Sequence, residues 1–157
     1  MVITLAVMPQ ARKVAITPEN VYIYRIGGGT SRYDPHMFDD WLALYRYKSV
    51  FALRYPMPQD IRRLMDIELC NMVFTYFRML GRSERCTRDM LIQEIQRVCK
   101  VPEVRSACQN TAIERSQYRN VQLLYADDTE KIMETVEEDM RRYKKTKWIR
   151  KLIYKLA

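Results

Sequence analysis

Glycine and proline, the two residues that most strongly mark turns, are almost absent from this chain after residue 60. The sequence has four glycines and six prolines, and beyond residue 60 only Gly81 and Pro102 remain. Short strands need frequent turns, so this scarcity favours long helices over a β-sheet. The sequence therefore predicts an all-α fold.

Apolar residues recur at spacings of three and four from Asp34 onward, which indicates helices with one buried face. We predict five helices. They run from Asp34 to before Pro56, from about Pro58 to a stop at Gly81, from a cap at Thr87 through Val98, from Glu103 to about Tyr125, and from about Asp128 to Leu156. Pro102 is expected to interrupt the helical pattern, because an interior proline removes a backbone hydrogen bond.

The first thirty residues follow a different pattern. VITLAV and VYIYRI are short β-favouring runs separated by TPEN, and two such runs cannot form a stable sheet alone. We therefore predict an extended N-terminal arm over 1–30, with a flexible joint at 27–30. Residues 31–125 are predicted to form a helical bundle, and 126–157 a charged amphipathic C-terminal helix.

The positive charge of the chain is concentrated at its C-terminal end. The net charge is +8, and residues 141–157 contain eight basic residues and no acidic one. Residues 126–139 are strongly acidic, so one helix would carry acids near its start and bases near its end, as the helix dipole favours. Apolar residues also recur along this tail, so it could lie on anionic lipid, enter a groove of a partner protein, or contact RNA phosphates. The basic partner or lipid surface predicted here consists of Arg141, Arg142, Lys144, Lys145, Lys147, Trp148, Arg150 and Lys151.

The chemistry of a catalytic or metal site has little support in the sequence. The four cysteines show no CxxC spacing, and His36 is the only histidine. A zinc site or a nucleophile–histidine arrangement is therefore not expected. We predict reduced thiols, no metal and no catalytic residues. No run of about 18 apolar residues is present, so no membrane span is expected.

The stretch LALYRYK, residues 42–48, contains the tripeptide Leu44-Tyr45-Arg46. Its neighbours occur in a characteristic order: Ser31-Arg32 ahead of it, Pro56 or Pro58 after the first helix, the Asp66-Ile67 step, and Phe77. In these features the chain resembles the LYR family of small mitochondrial helical proteins over about residues 31–125. The similarity is greatest to the family's accessory subunit in the matrix arm of respiratory complex I.

The resemblance implies a binding function rather than catalysis. LYR proteins have three core helices, here followed by an additional C-terminal helix, and they dock a mitochondrial acyl carrier protein. The carrier supplies an acylated 4′-phosphopantetheine whose acyl chain enters the helical bundle, so this chain would bind no cofactor of its own. The implied residues for the carrier and its phosphopantetheine are Leu44, Tyr45, Arg46, Lys48, Arg62 and Arg63, and Phe77 would line the acyl channel.

On this interpretation the protein is a non-catalytic subunit on the matrix side of the inner mitochondrial membrane. Its partners would be the carrier, other complex I subunits and peripheral lipid, rather than nucleic acid. A second hypothesis is an RNA-binding or mitochondrial ribosome-associated basic helical protein, which would use the same tail. Taken without the resemblance, Phe77 is an ordinary core residue, and Arg46 is either a contact to a partner or an ordinary surface residue.

Overall fold

The computed structural model describes residues 33–55, 58–112 and 119–156, with side chains described for 33–55, 58–111 and 119–146. All regular structure in these ranges is helical, which confirms the all-α prediction. The helices are α1 Met37–Arg54, α2 Gln59–Arg82, α3 Arg88–Cys99, α4 Pro102–Ala112, α5 Arg119–Ala126 and α6 Thr129–Leu156. The arm predicted for 1–30 lies outside the described residues.

The long helix α2 is the centre of the bundle and contacts each of the other five helices in the described ranges. Its apolar residues are therefore buried on several faces rather than on one stripe. The buried positions of α2 are Asp66, Ile67, Leu69, Cys70, Val73, Phe74, Tyr76, Phe77, Met79, Leu80 and Gly81. The hydrophobic core of the protein is thus organised around this helix.

Helix α1 runs antiparallel to α2. Near the start of α1 the Phe38 ring lies 5.6 Å from the Tyr76 ring, measured between centroids. Further along, the Tyr45 hydroxyl donates a hydrogen bond to Asp66 Oδ1 at 2.6 Å. Later residues of α1 thus contact earlier residues of α2. This antiparallel packing places the middle of α1 against the first half of α2.

The segment predicted as one helix from residue 103 to 125 is two helices that pack against each other, α4 and α5. Arg105 Nη1 lies 3.1 Å from Asp127 Oδ2. In a continuous helix these positions would be about 33 Å apart, so the prediction of one helix is wrong. Folding back brings Val121 and Leu124 into the core, where they are almost fully buried.

Several predicted helix boundaries are confirmed by their hydrogen bonds. The Met90 N–H donates to Thr87 Oγ1 at 3.2 Å, so Thr87 caps α3. The Lys131 N–H donates to Asp128 Oδ1 at 3.1 Å at the start of α6. Pro102 is the first residue of α4, a position where its missing N–H leaves no helical bond unmade.

Two predicted boundaries move by a short distance. Helix α1 begins at Met37, and Asp34 Oδ1 accepts a hydrogen bond from the His36 N–H at 2.8 Å in the preceding turn. Helix α2 continues through Gly81 to Arg82, so Gly81 is not the residue that ends it.

Gly81 instead permits a close approach between α2 and α6. A Cβ atom at Gly81 would lie 2.8 Å from Met140 Sδ and 3.2 Å from Val136 Cγ1. The first half of α6 belongs to the same core, since Ile132, Met133 and Val136 are buried there. The absence of a side chain at residue 81 therefore sets how closely these two helices pack.

We predict that Gly81→Val destabilises the protein. The added methyl groups must displace Val136 and Met140, so the free energy of unfolding should fall by about 1–3 kcal/mol. Urea denaturation of both chains measures the difference. Adding Met140→Ala to the Gly81→Val chain should recover part of the loss by making room. If nothing is recovered, crowding against α6 is not the cause.

A cluster of polar side chains around Tyr76 of α2 links three helices. The Tyr76 hydroxyl donates to Glu94 Oε1 at 2.7 Å. Arg97 donates to both Glu94 oxygens, at 2.6 and 2.8 Å, and its guanidinium lies 5.3 Å from the centroid of the Phe38 ring. Hydrogen bonds from Arg97, and then from Tyr76, lower the pKa of Glu94. The carboxylate thus joins α3 to α2, and Arg97 extends the cluster to Phe38 of α1.

The lowered pKa of Glu94 predicts a stabilising contribution that depends on pH. The contribution should be complete above the ordinary pKa of 4.5 and should be lost as the pH falls through the lower pKa of the folded state. Glu94→Gln should therefore be less stable than the original chain at pH 7, and the difference should shrink below pH 4.5. Denaturation curves between about pH 3 and 7 test this. A difference that stays constant over this range would contradict it.

Candidate functional site

The tripeptide Leu44-Tyr45-Arg46 lies in the middle of α1, and its three side chains have different surroundings. Consecutive residues of a helix point about 100° apart, so the three cannot all face one partner. Leu44 lines a groove between α1 and α2, Tyr45 turns toward α2, and Arg46 is exposed. The site must therefore be described one residue at a time.

Tyr45 is part of a partly buried hydrogen-bond network centred on the buried Asp66. Its hydroxyl donates to Asp66 Oδ1 at 2.6 Å, and Asn110 Nδ2 of α4 donates to Asp66 Oδ2 at 3.1 Å. Asp66 is only 8% exposed. Burial, followed by the hydrogen bond to Asp66, raises the pKa of Tyr45 well above its usual value. The hydroxyl therefore stays protonated and is engaged inside the fold rather than presented to a partner.

Arg46 links α1 to α4 at the surface. Its Nε donates to Glu103 Oε1 at 2.6 Å, and its side chain is 58% exposed. The hydrogen bond from Arg46 is the main cause of the lowered pKa of Glu103. Since the contact uses only Nε, the two Nη groups of Arg46 form no hydrogen bond with another described residue. A guanidinium held in this way can accept a further anion.

Lys48 has a more enclosed position than Arg46. Its Nζ lies 2.5 Å from Glu68 Oε2, and its side chain is 12% exposed. The pair closes one side of the groove that Leu44 lines, and the other lining residues are Trp41, Tyr45, Met65, Leu69 and Met72. The groove has only about 10 Å³ of free volume. Lys48 is thus already paired with Glu68 of α2, whose side chain is 39% exposed, and is not available as a free phosphate contact.

Arg62 and Arg63 lie at the start of α2. The Arg62 guanidinium donates to the Ala52 carbonyl at 3.4 Å, which joins the start of α2 to the end of α1. Arg62 also borders an open cleft of about 250 Å³ whose other lining residues are Tyr45, Ser49, Ala52, Leu53, Met65, Asp66 and Asn110. Arg63 is half-buried beside it on α2. The structure thus places Arg62, but not Lys48, at an open surface next to the Tyr45 network.

An exposed apolar surface adjoins this cleft, and sequence reasoning missed it. Four large apolar residues at the end of α1 and the start of α2 are between 43% and 76% exposed: Val50, Leu53, Ile61 and Leu64. We name these four residues the apolar corner. Arg54 and Arg62 lie on the same two helix ends. Exposed apolar groups beside polar or charged ones are typical of protein interaction surfaces. The available signal was that these residues fall outside the core-facing stripe of their helices.

Phe77 is a packed core residue. Its side chain has no solvent exposure, and its ring lies 6.1 Å from both the Phe74 and the Tyr76 rings, measured between centroids. An acyl chain could therefore reach Phe77 only if neighbouring side chains or helices moved apart.

The predicted basic surface is partly described. Arg141 borders a wide groove of about 470 Å³ between α5 and α6, together with Arg119, Leu123, Lys131, Glu134, Thr135 and Glu138. Arg142 forms an ion pair with Glu138 at 2.6 Å, and Lys144 and Lys145 are exposed. Lys147, Trp148, Arg150 and Lys151 lie within α6, but their side chains are outside the described set. Among the helices described, none has the length and hydropathy needed to cross a bilayer.

Metal-binding side chains do not cluster within the described part of the chain: no three histidine, cysteine or acidic residues lie close enough there to hold an ion. All four cysteines are free thiols. Burial raises the pKa of Cys99 to about 12, which opposes a nucleophilic role for that thiol.

The sequence and the fold were compared with known proteins. No protein-family model, curated protein or solved structure matches this chain. The similarity to LYR proteins consequently stays a prediction, and a functional interpretation depends on the geometry of the site.

The Tyr45 network predicts unequal effects for two tyrosines of α1. Tyr45→Phe removes a hydrogen bond to the buried Asp66 carboxylate and should lower the free energy of unfolding by about 1.5–3 kcal/mol. Tyr47→Phe is the matched control, since Tyr47 is 37% exposed. Removal of the Tyr47 hydroxyl should change the free energy of unfolding little. Thermal and urea unfolding of the two variants measure both effects, and equal losses would contradict the assignment.

Proposed function

We propose that this chain is a non-catalytic accessory subunit of the LYR type that docks an acylated mitochondrial acyl carrier protein. The observation that carries the proposal is the position of Arg46, which is exposed on α1 one and two helical turns before Val50 and Leu53 of the apolar corner. It combines a fixed positive group with adjacent apolar surface, and an acidic protein with apolar docking residues would complement both.

Arg46 supplies the anchoring charge. Glu103 already orients the guanidinium through Nε, which leaves the Nη groups for a carboxylate or phosphate of the carrier. Because Glu103 already holds the Arg46 side chain in one orientation, less side-chain conformational entropy is lost when a partner docks. Arg62 is the second basic group on this face, and its hydrogen bond to the Ala52 carbonyl holds it in place.

The apolar corner supplies the uncharged part of the interface. Leu53 and Val50 are 76% and 66% exposed, and covering them removes apolar surface from water. An interaction of this kind retains much of its strength in salt, because only its charged part is screened. It therefore differs from phosphate binding, which salt weakens steeply.

The acyl chain would enter the apolar interior near Phe77. The core there is closely packed, so on this proposal the chain enters as α1, α2 and their neighbours separate slightly. Burial of the acyl chain against aromatic and aliphatic side chains would offset the cost of that opening.

The proposed host is respiratory complex I, on the matrix side of the inner mitochondrial membrane. The resemblance described above supports this choice, and the chain would stabilise the matrix arm there. The basic end of α6, which carries the exposed Arg141, Lys144 and Lys145, would contact other subunits or anionic lipid.

A second candidate function rests on the same end of α6. Eight basic residues and no acidic one between 141 and 157 also suit RNA or a mitochondrial ribosome. This alternative would use α6 and would not require Arg46.

The test is carrier binding by Arg46→Glu. The tagged full-length chain is purified from its own mitochondria, and intact-mass spectrometry identifies any co-purifying carrier with its phosphopantetheine acyl adduct. We expect the adduct with the original chain and a loss of at least about tenfold with Arg46→Glu, because one charge-assisted contact is replaced by repulsion.

Arg88→Glu is the matched control, since Arg88 also forms an exposed inter-helix ion pair, with Glu137 at 3.2 Å, but on α3 and α6. It should retain the carrier. Leu53→Asp should weaken binding as well, whereas Met90→Asp, at a residue 51% exposed on α3, should not. Recovery of RNA or ribosomal proteins without any carrier would overturn the proposal and favour the second candidate.

A further inference from the structure

Two buried thiols from different helices touch each other in the centre of the bundle. Cys70 of α2 and Cys108 of α4 have their Sγ atoms 3.7 Å apart, and the two residues are 0% and 2% exposed. The two other cysteines, Cys86 and Cys99, form no such contact with a thiol in the described structure. The pair plays no part in the proposed docking of a carrier.

We propose that Cys70 and Cys108 are a redox-active pair that closes to a disulfide joining α2 to α4. Bond formation requires the sulfurs to approach from 3.7 Å to about 2.05 Å. Small rotations about the Cα–Cβ bonds and a slight movement of the helices supply a shift of this size. The inference is independent of the proposed function.

The surroundings distinguish the two sulfurs. A hydrogen bond from the Cys70 thiol favours the thiolate of Cys108, and its pKa is lowered. The Arg105 guanidinium, three residues before Cys108 on α4, acts in the same direction. The hydrogen bond with Cys108, and then burial, raise the pKa of Cys70, which therefore remains the thiol. Because the basic residue Arg105 lies one turn before Cys108 on α4, we assign Cys108 as the nucleophile and Cys70 as the resolving residue.

The oxidant is a small peroxide, which can reach a buried sulfur during brief local opening. The Cys108 thiolate attacks one peroxide oxygen, the O–O bond breaks, and a sulfenic acid forms while the other oxygen leaves and is protonated to water. The Cys70 sulfur then attacks the sulfenic sulfur, its proton goes to the departing hydroxide, and a second water leaves. In total, two thiols and one hydrogen peroxide give one disulfide and two waters.

The consequence is a covalent link beside the Tyr45 network. Cys70 follows Asp66 by one turn of α2, and Cys108 precedes Asn110 on α4, so the disulfide would lie next to the Asp66–Asn110 hydrogen bond. Oxidation would hold these two helices at their present separation. Reduction would restore their freedom to move apart.

The test is disulfide mapping in the native full-length chain. Reduced protein is treated with hydrogen peroxide, unreacted thiols are blocked with N-ethylmaleimide, and the intact mass is measured before trypsin digestion. Trypsin places the four cysteines in separate peptides, 64–78, 86–88, 98–100 and 106–115. In the intact chain we expect two thiols to escape blocking and to lose about 2 Da together, the mass of two hydrogens. After digestion, a disulfide should link peptides 64–78 and 106–115.

The oxidised chain should also be more stable, with a Tm higher by about 5 °C. Two variants serve as controls: Cys99→Ala removes a competing buried thiol and should keep the link, whereas Cys108→Ala should abolish it. Peroxide oxidation of the denatured chain shows which disulfides form when the four cysteines pair at random. The inference is overturned if all four thiols are blocked after peroxide treatment, or if Cys108 is linked to Cys99 instead of Cys70. Disulfide mapping of the original chain gives this answer even if a variant fails to fold.

Discussion

Helix α2 contacts each of the other five described helices, so most residues in its second half are buried. Only a helix can satisfy its own backbone polar groups while being surrounded in this way, because each N–H and C=O bonds within the element. The apolar area buried around α2 is the main source of stability, and the other helices are held by their contact with it. Gly81 belongs to the same constraint, since a side chain there would prevent α6 from approaching.

Asp66 is the polar exception on this central helix. Burying a carboxylate is costly unless hydrogen bonds replace its water, and Tyr45 and Asn110 each provide one. Because Asp66 needs both of these hydrogen bonds, α1 and α4 are held at defined positions along α2. It also explains the opposite roles of two neighbouring residues of α1: Tyr45 is held inside, and Arg46 remains outside, where it is available to a partner.

The proposed docking surface and the thiol pair meet at the same three helices. Arg46 contacts Glu103 of α4 across the surface, and Cys70 contacts Cys108 of α4 in the interior. An exposed ion pair such as the first contributes little to stability, so it can exchange its partner without loss of the fold. A covalent link between Cys70 and Cys108 would restrain α2 and α4 far more strongly than this ion pair restrains α1 and α4. The arrangement of α1, α2 and α4 thus combines an exchangeable surface contact with a buried pair of thiols.

The sequence by itself determined the local features of this protein. The all-α class and the starts of α3 and α6 at Thr87 and Asp128 follow from scarce turn residues, helical periodicity and capping chemistry, which act over a few residues. Only the tertiary structure decided that α4 and α5 are separate helices packed against each other, that Gly81 is a contact point, and that Tyr45 binds Asp66. The apolar corner also emerged only there, since exposure depends on which helices cover a surface. These features join residues far apart in sequence, such as Arg105 with Asp127 and Cys70 with Cys108, and no short-range pattern encodes such pairs.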